Sequence, residues 1–185
     1  AGAPIDTFTY DPEAPVPTGS SGAYSRAPHD MREVERRADV LVYSSEVLTR
    51  PLEVTGYITL HLWISSSALD TDFTARLVDV HPDGTARALT DGIQRARYRK
   101  GRTTPELLTP GQPAEVTIDV GATSNVFLPG HRIRLEVSSS NFPRYDRNPN
   151  TGEPFGTSAR VERARQVIHH DARYPSRLVL PVVPR

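Results

Sequence analysis

The sequence contains no cysteine, which excludes disulfide bonds, thiolate nucleophiles and cysteine-based metal sites. It also has no net charge, because 22 acidic residues balance 22 basic ones, and Lys100 is its single lysine. A neutral chain has no general attraction to nucleic acid or to an anionic membrane surface. No stretch approaches the roughly 20 apolar residues of a membrane span. We therefore expect neither nucleic acid nor a membrane as a partner.

Targeting signals and catalytic motifs are missing as well. Residues 1–10 lack the basic and apolar regions of a signal peptide, so the compartment stays open, with the cytoplasm favoured. The G-x-S-x-G elbow of α/β-hydrolases, the P-loop, G-x-G-x-x-G and H-E-x-x-H do not occur. We therefore predict no catalytic residue and no cofactor in this chain. Because the chain begins at Ala1 and its single methionine is the internal Met31, we expect a longer natural chain upstream.

Proline and glycine are plentiful, with 17 and 12 residues, which favours many turns and few long helices. The stretch Leu52–Ile64 alternates aliphatic residues with polar or aromatic ones, which predicts one long strand with a buried aliphatic face. Similar patterns predict strands over 5–10, 39–48, 72–80, 85–90, 92–99, 114–120, 133–137, 164–170 and 177–183. Eight to ten strands without helical crossovers indicate an all-β, two-sheet antiparallel sandwich or jelly roll.

The domain organisation follows from the length of 185 residues, which is typical of one domain. Residues 1–38 are predicted to hold the first strand, a Pro-rich connector and a short helical turn, with Asp30 as N-cap and Glu33 completing a capping box. Residues 39–185 are predicted to form the core of the sandwich.

Several polar clusters invite a chemical interpretation. Asp70 and Asp72 could bind Ca²⁺, but we favour a structural role in which they bind backbone N–H groups or arginines. Arg95–Arg102 resembles a nucleic-acid surface, but zero net charge favours a strand face, carrying Arg95, Arg97 and Arg99, balanced by acidic neighbours. His169 and His170 point to opposite faces of a strand and cannot share one ion. No metal site is predicted.

The segment 141–150 combines aromatic, Asn and Arg side chains in a loop too long for a simple hairpin. Such a surface could bind sugar, another domain or nothing, and we favour a protein contact. The candidate contact residues of this loop are Asn141, Phe142, Tyr145, Asp146 and Asn148, together with Trp63 on the long strand.

A family resemblance rests on motifs spread over nearly the whole chain. The segments that carry it are Asp6–Phe8, Tyr10–Pro12, Asp70–Ala75, Leu77–Val80, Pro82–Gly84, Arg97–Arg99, Ala122–Ile133, Ser138–Pro143, Tyr145–Asn148, Asn150–Gly152 and Pro175–Pro181. Together they resemble the C-terminal domain of the family that includes cocaine esterase, α-amino-acid ester hydrolases and X-Pro dipeptidyl peptidases.

The resemblance implies a jelly-roll sandwich, similar to galactose-binding domains, that packs on an α/β-hydrolase domain and a helical cap in the same parent chain. The family's Ser, Asp and His triad belongs to the hydrolase domain, so this chain would be a non-catalytic module that helps to shape the acyl pocket. Gly22, Ala23 and Tyr24 are the connector residues expected nearest that cleft, and Asp70, Asp72, Arg97 and Arg99 are expected to be structural. Two alternatives stay open, a carbohydrate-binding jelly-roll module and a homodimer.

Overall fold

The computed structural model describes residues 5–19, 29–154, 156–157 and 159–184. The described residues form nine strands and two short helices. In chain order these are β1 (Ile5–Tyr10), α1 (Arg32–Glu35), β2 (Leu41–Ser44), β3 (Leu52–Ser66), β4 (Asp72–Val80), β5 (Ala86–Arg95), a 3₁₀ helix (Ala96–Tyr98), β6 (Ala114–Phe127), β7 (Arg132–Ser138), β8 (Ala164–His169) and β9 (Arg177–Val179). Neither of these helices has the length or apolar character needed to cross a membrane.

The strands form two antiparallel sheets. The first has the order β1-β8-β3-β6, and β9 pairs with β3 next to the β8 pairing. The second has the order β2-β7-β4-β5. Strand β1 pairs with β8 along its full length, so the sandwich includes residues that precede position 39. The predicted all-β, two-sheet antiparallel architecture is confirmed.

The core between the sheets is built on β3. Its inward residues Val54, Ile58, Leu60, Leu62 and Ile64 are each at most 2% exposed. They meet apolar side chains of β4, β6 and β7 from the facing and neighbouring strands. Successive side chains of a strand point to opposite faces, so this alternation alone specifies which side of β3 is buried.

The second sheet is covered on both faces. All nine residues of β4 are buried, including the outward-facing Val78 and Val80. A second apolar cluster on this outer face joins them to Val16 of the connector, to Met31 and to Val34 of α1. The described part of the connector, which ends at Gly19, and α1 therefore act as a third layer, which explains why β4 lacks a solvent-exposed side.

The two long sides of the sandwich differ. On one side, β5 of the second sheet lies directly against β6 of the first, where the Thr90 hydroxyl donates to the Val120 carbonyl at 2.7 Å. On the other side, the sheets separate around a largely apolar cleft of about 360 Å³. Its lining residues are Tyr43, Ser44, Ser45, Leu60, Leu62, Ile133, Leu135, His170, Ser176, Arg177, Leu178 and Leu180.

Some predicted boundaries are wrong. Helix α1 begins after Met31, not after Asp30, and its N-cap makes no side-chain hydrogen bond. The Asp30 carboxylate, one residue before the N-cap, accepts from the Arg32 backbone N–H at 3.2 Å and from Arg32 Nε at 2.8 Å. Strand β2 is shorter than predicted, and β9 ends before Pro181, which cannot donate to a ladder.

Candidate functional site

The connection between β7 and β8 runs from Ser139 to Arg163, and its first half contains several polar residues that are buried. Its buried residues are Ser139, Ser140, Asn141, Asn148, Asn150 and Thr151. Buried polar groups are stable only when they are hydrogen-bonded, so this loop must be held by specific partners.

Asn148 is the centre of one such set of bonds and is 2% exposed. Its amide nitrogen donates to Asp70 Oδ2 at 3.0 Å and to Asp72 Oδ1 at 2.9 Å. Its amide oxygen accepts from the backbone N–H of Asn150 at 2.9 Å, and its carbonyl accepts from the Tyr10 hydroxyl at 3.1 Å. One amide side chain and its carbonyl therefore join the loop to the start of β4 and to the end of β1.

Both aspartates also bind arginines. Arg97 donates from its backbone N–H at 2.9 Å and from Nε at 2.8 Å to Asp70. Arg95 Nε donates to Asp72 at 2.9 Å. Burial raises the pKa of Asp72, while the bond to Arg95 and its charge oppose this rise. These contacts fit a structural role for Asp70, Asp72 and Arg97, because the oxygens that a cation would need are engaged with nitrogen donors.

The first half of the predicted strand over 92–99 belongs to β5 and the second half does not, so the three arginines do not share a face. Strand β5 ends at Arg95, because Ala96 is buried and its N–H donates to the Thr71 carbonyl at 2.9 Å, which turns the chain into the 3₁₀ helix. The turn carries Arg97 back to Asp70. Arg99 instead binds Glu106, which also binds Lys100.

A second polar group lies on the outer face of the second sheet, under the connector. Arg76 donates to Glu136 Oε2 at 2.8 Å and to Asn141 Oδ1 at 3.1 Å, and the Asn141 amide donates to Asp91 at 2.9 Å. Burial raises the pKa of Glu136 to about 7; the charge of Arg76 lowers it, and the neighbouring Glu35 raises it further. Sequence reasoning missed Arg76, although a basic residue between the apolar Ala75 and Leu77 of β4 is the signal that could have revealed it.

The remaining predicted contact residues separate in space. Phe142 and Asp146 are exposed at the surface of the loop, and Tyr145 is half-buried beside Asp91, with its hydroxyl 3.5 Å from the carboxylate. Trp63 projects from the outer face of the first sheet, where it packs on Tyr174 with ring centroids 5.1 Å apart. The sandwich therefore separates Trp63 from the loop. Gly22, Ala23 and Tyr24 lie outside the described residues.

The loop offers few free groups to a sugar. The amide side chains of Asn141, Asn148 and Asn150 all bind within the protein, the last donating to the Glu162 carbonyl at 2.6 Å. Sugar recognition needs polar groups that face a ligand. The geometry therefore gives no support to the carbohydrate-binding alternative.

One serine does lie beside an imidazole. Ser65 Oγ is 3.1 Å from His169 Nε2, and the two residues are diagonal neighbours on the paired strands β3 and β8. Burial lowers the pKa of His169. The nearby Asp171 uses its Oδ1 to accept the backbone N–H groups of Arg173 and Tyr174 at 2.7 and 2.9 Å. A nucleophile pair also needs an acid that orients the imidazole, and Oδ1 of the nearby Asp171 already accepts the two backbone N–H groups of its own turn.

Metal-ligating side chains converge elsewhere in the described part of the chain. Asp79, His81 and His131 bring one possible ligand atom each within 4.8 Å of one another. They lie at the opposite end of β4 from Asp72.

The fold is a two-sheet antiparallel β-sandwich in which buried polar groups fix loops to strands. The family model that matches residues 5–179 is the X-Pro dipeptidyl-peptidase C-terminal non-catalytic domain. The chain belongs to this family, which confirms the resemblance drawn from its motifs.

Known proteins extend this relationship. The chain is 53% identical to the cocaine esterase of Rhodococcus sp. (strain MB1 Bresler) over 186 residues, covering 97% of this chain and 32% of that protein. An aminopeptidase from a marine sediment archaeon (Thaumarchaeota archaeon) superposes with a TM-score of 0.91 at 32% identity, covering 100% of this chain and 34% of that one. An α-amino acid ester hydrolase gives 0.90 and 34%, covering 97% and 32%. The chain therefore spans about a third of the length of these relatives.

Proposed function

We propose that this chain is the C-terminal module of a longer serine hydrolase that acts on esters or X-Pro peptides. In this proposal the module packs against the α/β-hydrolase and cap domains and helps to shape the acyl pocket. The observation that carries it is the family match over residues 5–179 to a domain described as non-catalytic, joined to 53% identity with an esterase about three times as long.

The architecture supports a role outside the chemical step. An α/β-hydrolase nucleophile sits on a strand-to-helix turn, and the longer of the two described helices has four residues. The Ser65–His169 contact lies between two β-strands. Helices this short favour a role of the module outside the chemical step.

The contact between the connector and the long loop supports one surface as the docking face. The Thr18 N–H donates to the Phe142 carbonyl at 2.8 Å, and the Phe142 N–H donates to the Val16 carbonyl at 2.8 Å. Residues 16–18 of the connector and Phe142 of the loop therefore run side by side. The sequence predicted the connector and the loop separately as contact segments. The Phe142 side chain remains 41% exposed there, and an exposed aromatic ring is typical of an interface anchor.

The non-catalytic role predicts that the purified chain does not turn over p-nitrophenyl acetate above the buffer rate. Treatment with a serine-directed inhibitor should leave the chain unlabelled by mass spectrometry. Ser65→Ala is the matched control, since it removes the serine hydroxyl that lies 3.1 Å from the His169 imidazole. Turnover that the inhibitor abolishes and that Ser65→Ala also removes would contradict the proposal.

Docking predicts an effect that is confined to the longer protein. Phe142→Arg should leave the stability of this chain within about 0.5 kcal/mol, because the side chain is a surface one. In the full-length hydrolase it should lower kcat/KM at least about tenfold, equal to about 1.4 kcal/mol of transition-state stabilisation. Tyr57→Arg is the control, because Tyr57 is a 79% exposed aromatic residue on the first sheet. Equal loss in both variants would refute this docking face.

A further inference from the structure

Strand register brings two histidines together at one end of the second sheet. In the β4–β7 pairing Asp79 faces Ile133 and Val80 faces Arg132, so the next positions, His81 and His131, lie opposite each other. Their ring centroids are 4.4 Å apart. His81 follows Asp79 by two residues and therefore returns to the same side of the strand.

The two histidines are fixed by tight turns. The His81 N–H donates to the Thr85 carbonyl at 2.9 Å, and the His131 N–H donates to the Leu128 carbonyl at 3.1 Å. Gly130 has a φ of 85° and lies against Pro82, so that a Cβ atom there would come within 3.2 Å of the proline ring. The absence of a side chain at Gly130 allows the two turns to approach. The imidazoles are therefore held in place before any ligand arrives.

The negative charge of Asp79 has different partners from the charges of the other buried acidic residues. Asp70, Asp72 and Glu136 each bind an arginine. Asp79 is 5% exposed, and its ion-pair contacts in the described part of the chain are with imidazoles. A buried carboxylate needs a compensating positive charge.

The distances fit one hydrogen bond, from His131 to Asp79, and leave the facing His81 nitrogen without one. His131 Nδ1 lies 2.8 Å from Asp79 Oδ1, but His81 Nε2 lies 3.8 Å from Asp79 Oδ2. His81 Nε2 is buried and has no hydrogen-bond partner. Ligand atoms on a tetrahedral Zn²⁺, with bonds near 2.0–2.1 Å, are roughly 3.4 Å apart. The three ligand atoms lie within 4.8 Å of one another, so changes of at most about 1.4 Å in their separations would reach that spacing.

We propose that Asp79, His81 and His131 form a binding site for a divalent transition-metal ion such as Zn²⁺. Two imidazoles and one carboxylate are ligands that suit this class of ion, whereas Ca²⁺ and Mg²⁺ prefer oxygen. The ion takes the place of the proton between Asp79 and His131: a neutral His131 then carries its N–H on Nε2, and an imidazolium releases one proton to solvent. The His81 side chain is 28% exposed, which gives the ion an entry path and leaves a position for water.

The site ties the β4–β5 hairpin to the turn before β7, so its role is structural. The sequence predicted no metal here, because His81 and His131 are 50 positions apart and the segment 81–84 has the pattern of a turn. Only the strand register places the two residues side by side.

Cobalt titration of the chain, made without a polyhistidine tag and stripped with chelator, tests the proposal. We expect one Co²⁺ per chain, with the strong visible absorption of a low-coordinate site, and displacement of Co²⁺ by Zn²⁺. His81→Ala and His131→Gln should weaken binding by at least roughly 10- to 100-fold, the range seen when a mere outer-shell partner is lost. His61→Ala, which removes a histidine on β3, should bind as the wild type does.

The test does not depend on His131→Gln, which alters a buried side chain. His81 is partly exposed and lies in a turn, so His81→Ala should retain the metal-free thermal midpoint of the wild type. Absence of saturable Co²⁺ and Zn²⁺ binding by the wild-type chain would overturn the proposal. So would binding that His81→Ala leaves unchanged.

Discussion

Gly92→Ala lowers the free energy of unfolding by about 3 kcal/mol or more, at the upper end of what overpacking costs. At this point β5 crosses β6 so closely that a Cβ atom would overlap the Asp119 carbonyl oxygen and lie 2.8 Å from its carbon. Both neighbouring groups are backbone, which cannot rotate away as a flexible side chain can. The strands would have to separate at the closed side of the sandwich.

Urea unfolding followed by circular dichroism measures this effect, and Gly101→Ala is the matched control. No heavy atom outside its immediate chain neighbours lies within 4 Å of a Cβ atom built at Gly101. The control variant should therefore stay within about 0.5 kcal/mol of the wild type. A Gly92→Ala variant as stable as Gly101→Ala would mean that β5 and β6 do not meet in this way.

Arg76→Met should cost about 3–5 kcal/mol at pH 8.5, because it leaves the Glu136 carboxylate buried without its cation. The Arg76 and Glu136 side chains are only 8% and 5% exposed, and their bond is 2.8 Å long. Arg144→Met is the control: Arg144 pairs with Asp91 at 3.0 Å but is 46% exposed, so its loss should cost less than about 1 kcal/mol. Replacing both members, as in Arg76→Met with Glu136→Leu, should restore most of the stability.

The cost of Arg76→Met should depend on pH in a defined direction. Burial raises the pKa of Glu136 from 4.5 to about 7, so its stabilising contribution is present below pH 4.5 and is lost as pH rises through 7. Without Arg76 that pKa rises further, and at pH 5.5 the carboxyl stays protonated and neutral. The difference between variant and wild type should therefore be smaller at pH 5.5 than at pH 8.5. The same difference at both pH values would show that Glu136 does not titrate in this window.

Alternation of apolar residues was sufficient to predict the core face of β3, because that strand has one buried and one more open side. It could not predict that β4 is buried on both sides. The cover on its outer face comes from Val16, Met31 and Val34, which precede β4 by about 40 to 55 residues. Such burial depends on tertiary packing and leaves no periodic signal.

The polarity of a side chain also predicts the wrong location for residues that are buried in polar clusters. Asn and Arg are residue types usually found at the surface, but Asn148 and Arg76 are buried and hydrogen-bonded. The charges of Asp70 and Asp72 were sufficient to predict that they bind arginines. They did not predict which arginines these are. Arg97 reaches Asp70 only because Ala96 turns the chain out of β5. Contacts of this type depend on where a strand stops, which sequence patterns specify poorly.

The pairing of β1 with β8 has a consequence for how the chain folds. Tyr10 pairs with Ala164, so the partner strand is made about 150 residues later. Closing so long a loop costs conformational entropy before the strands form stabilising contacts. β-Sandwiches with such non-local pairing therefore fold in roughly milliseconds to seconds. During synthesis on the ribosome, the first strand therefore waits for almost the entire chain to emerge. Its apolar residues are open to chaperones throughout that interval.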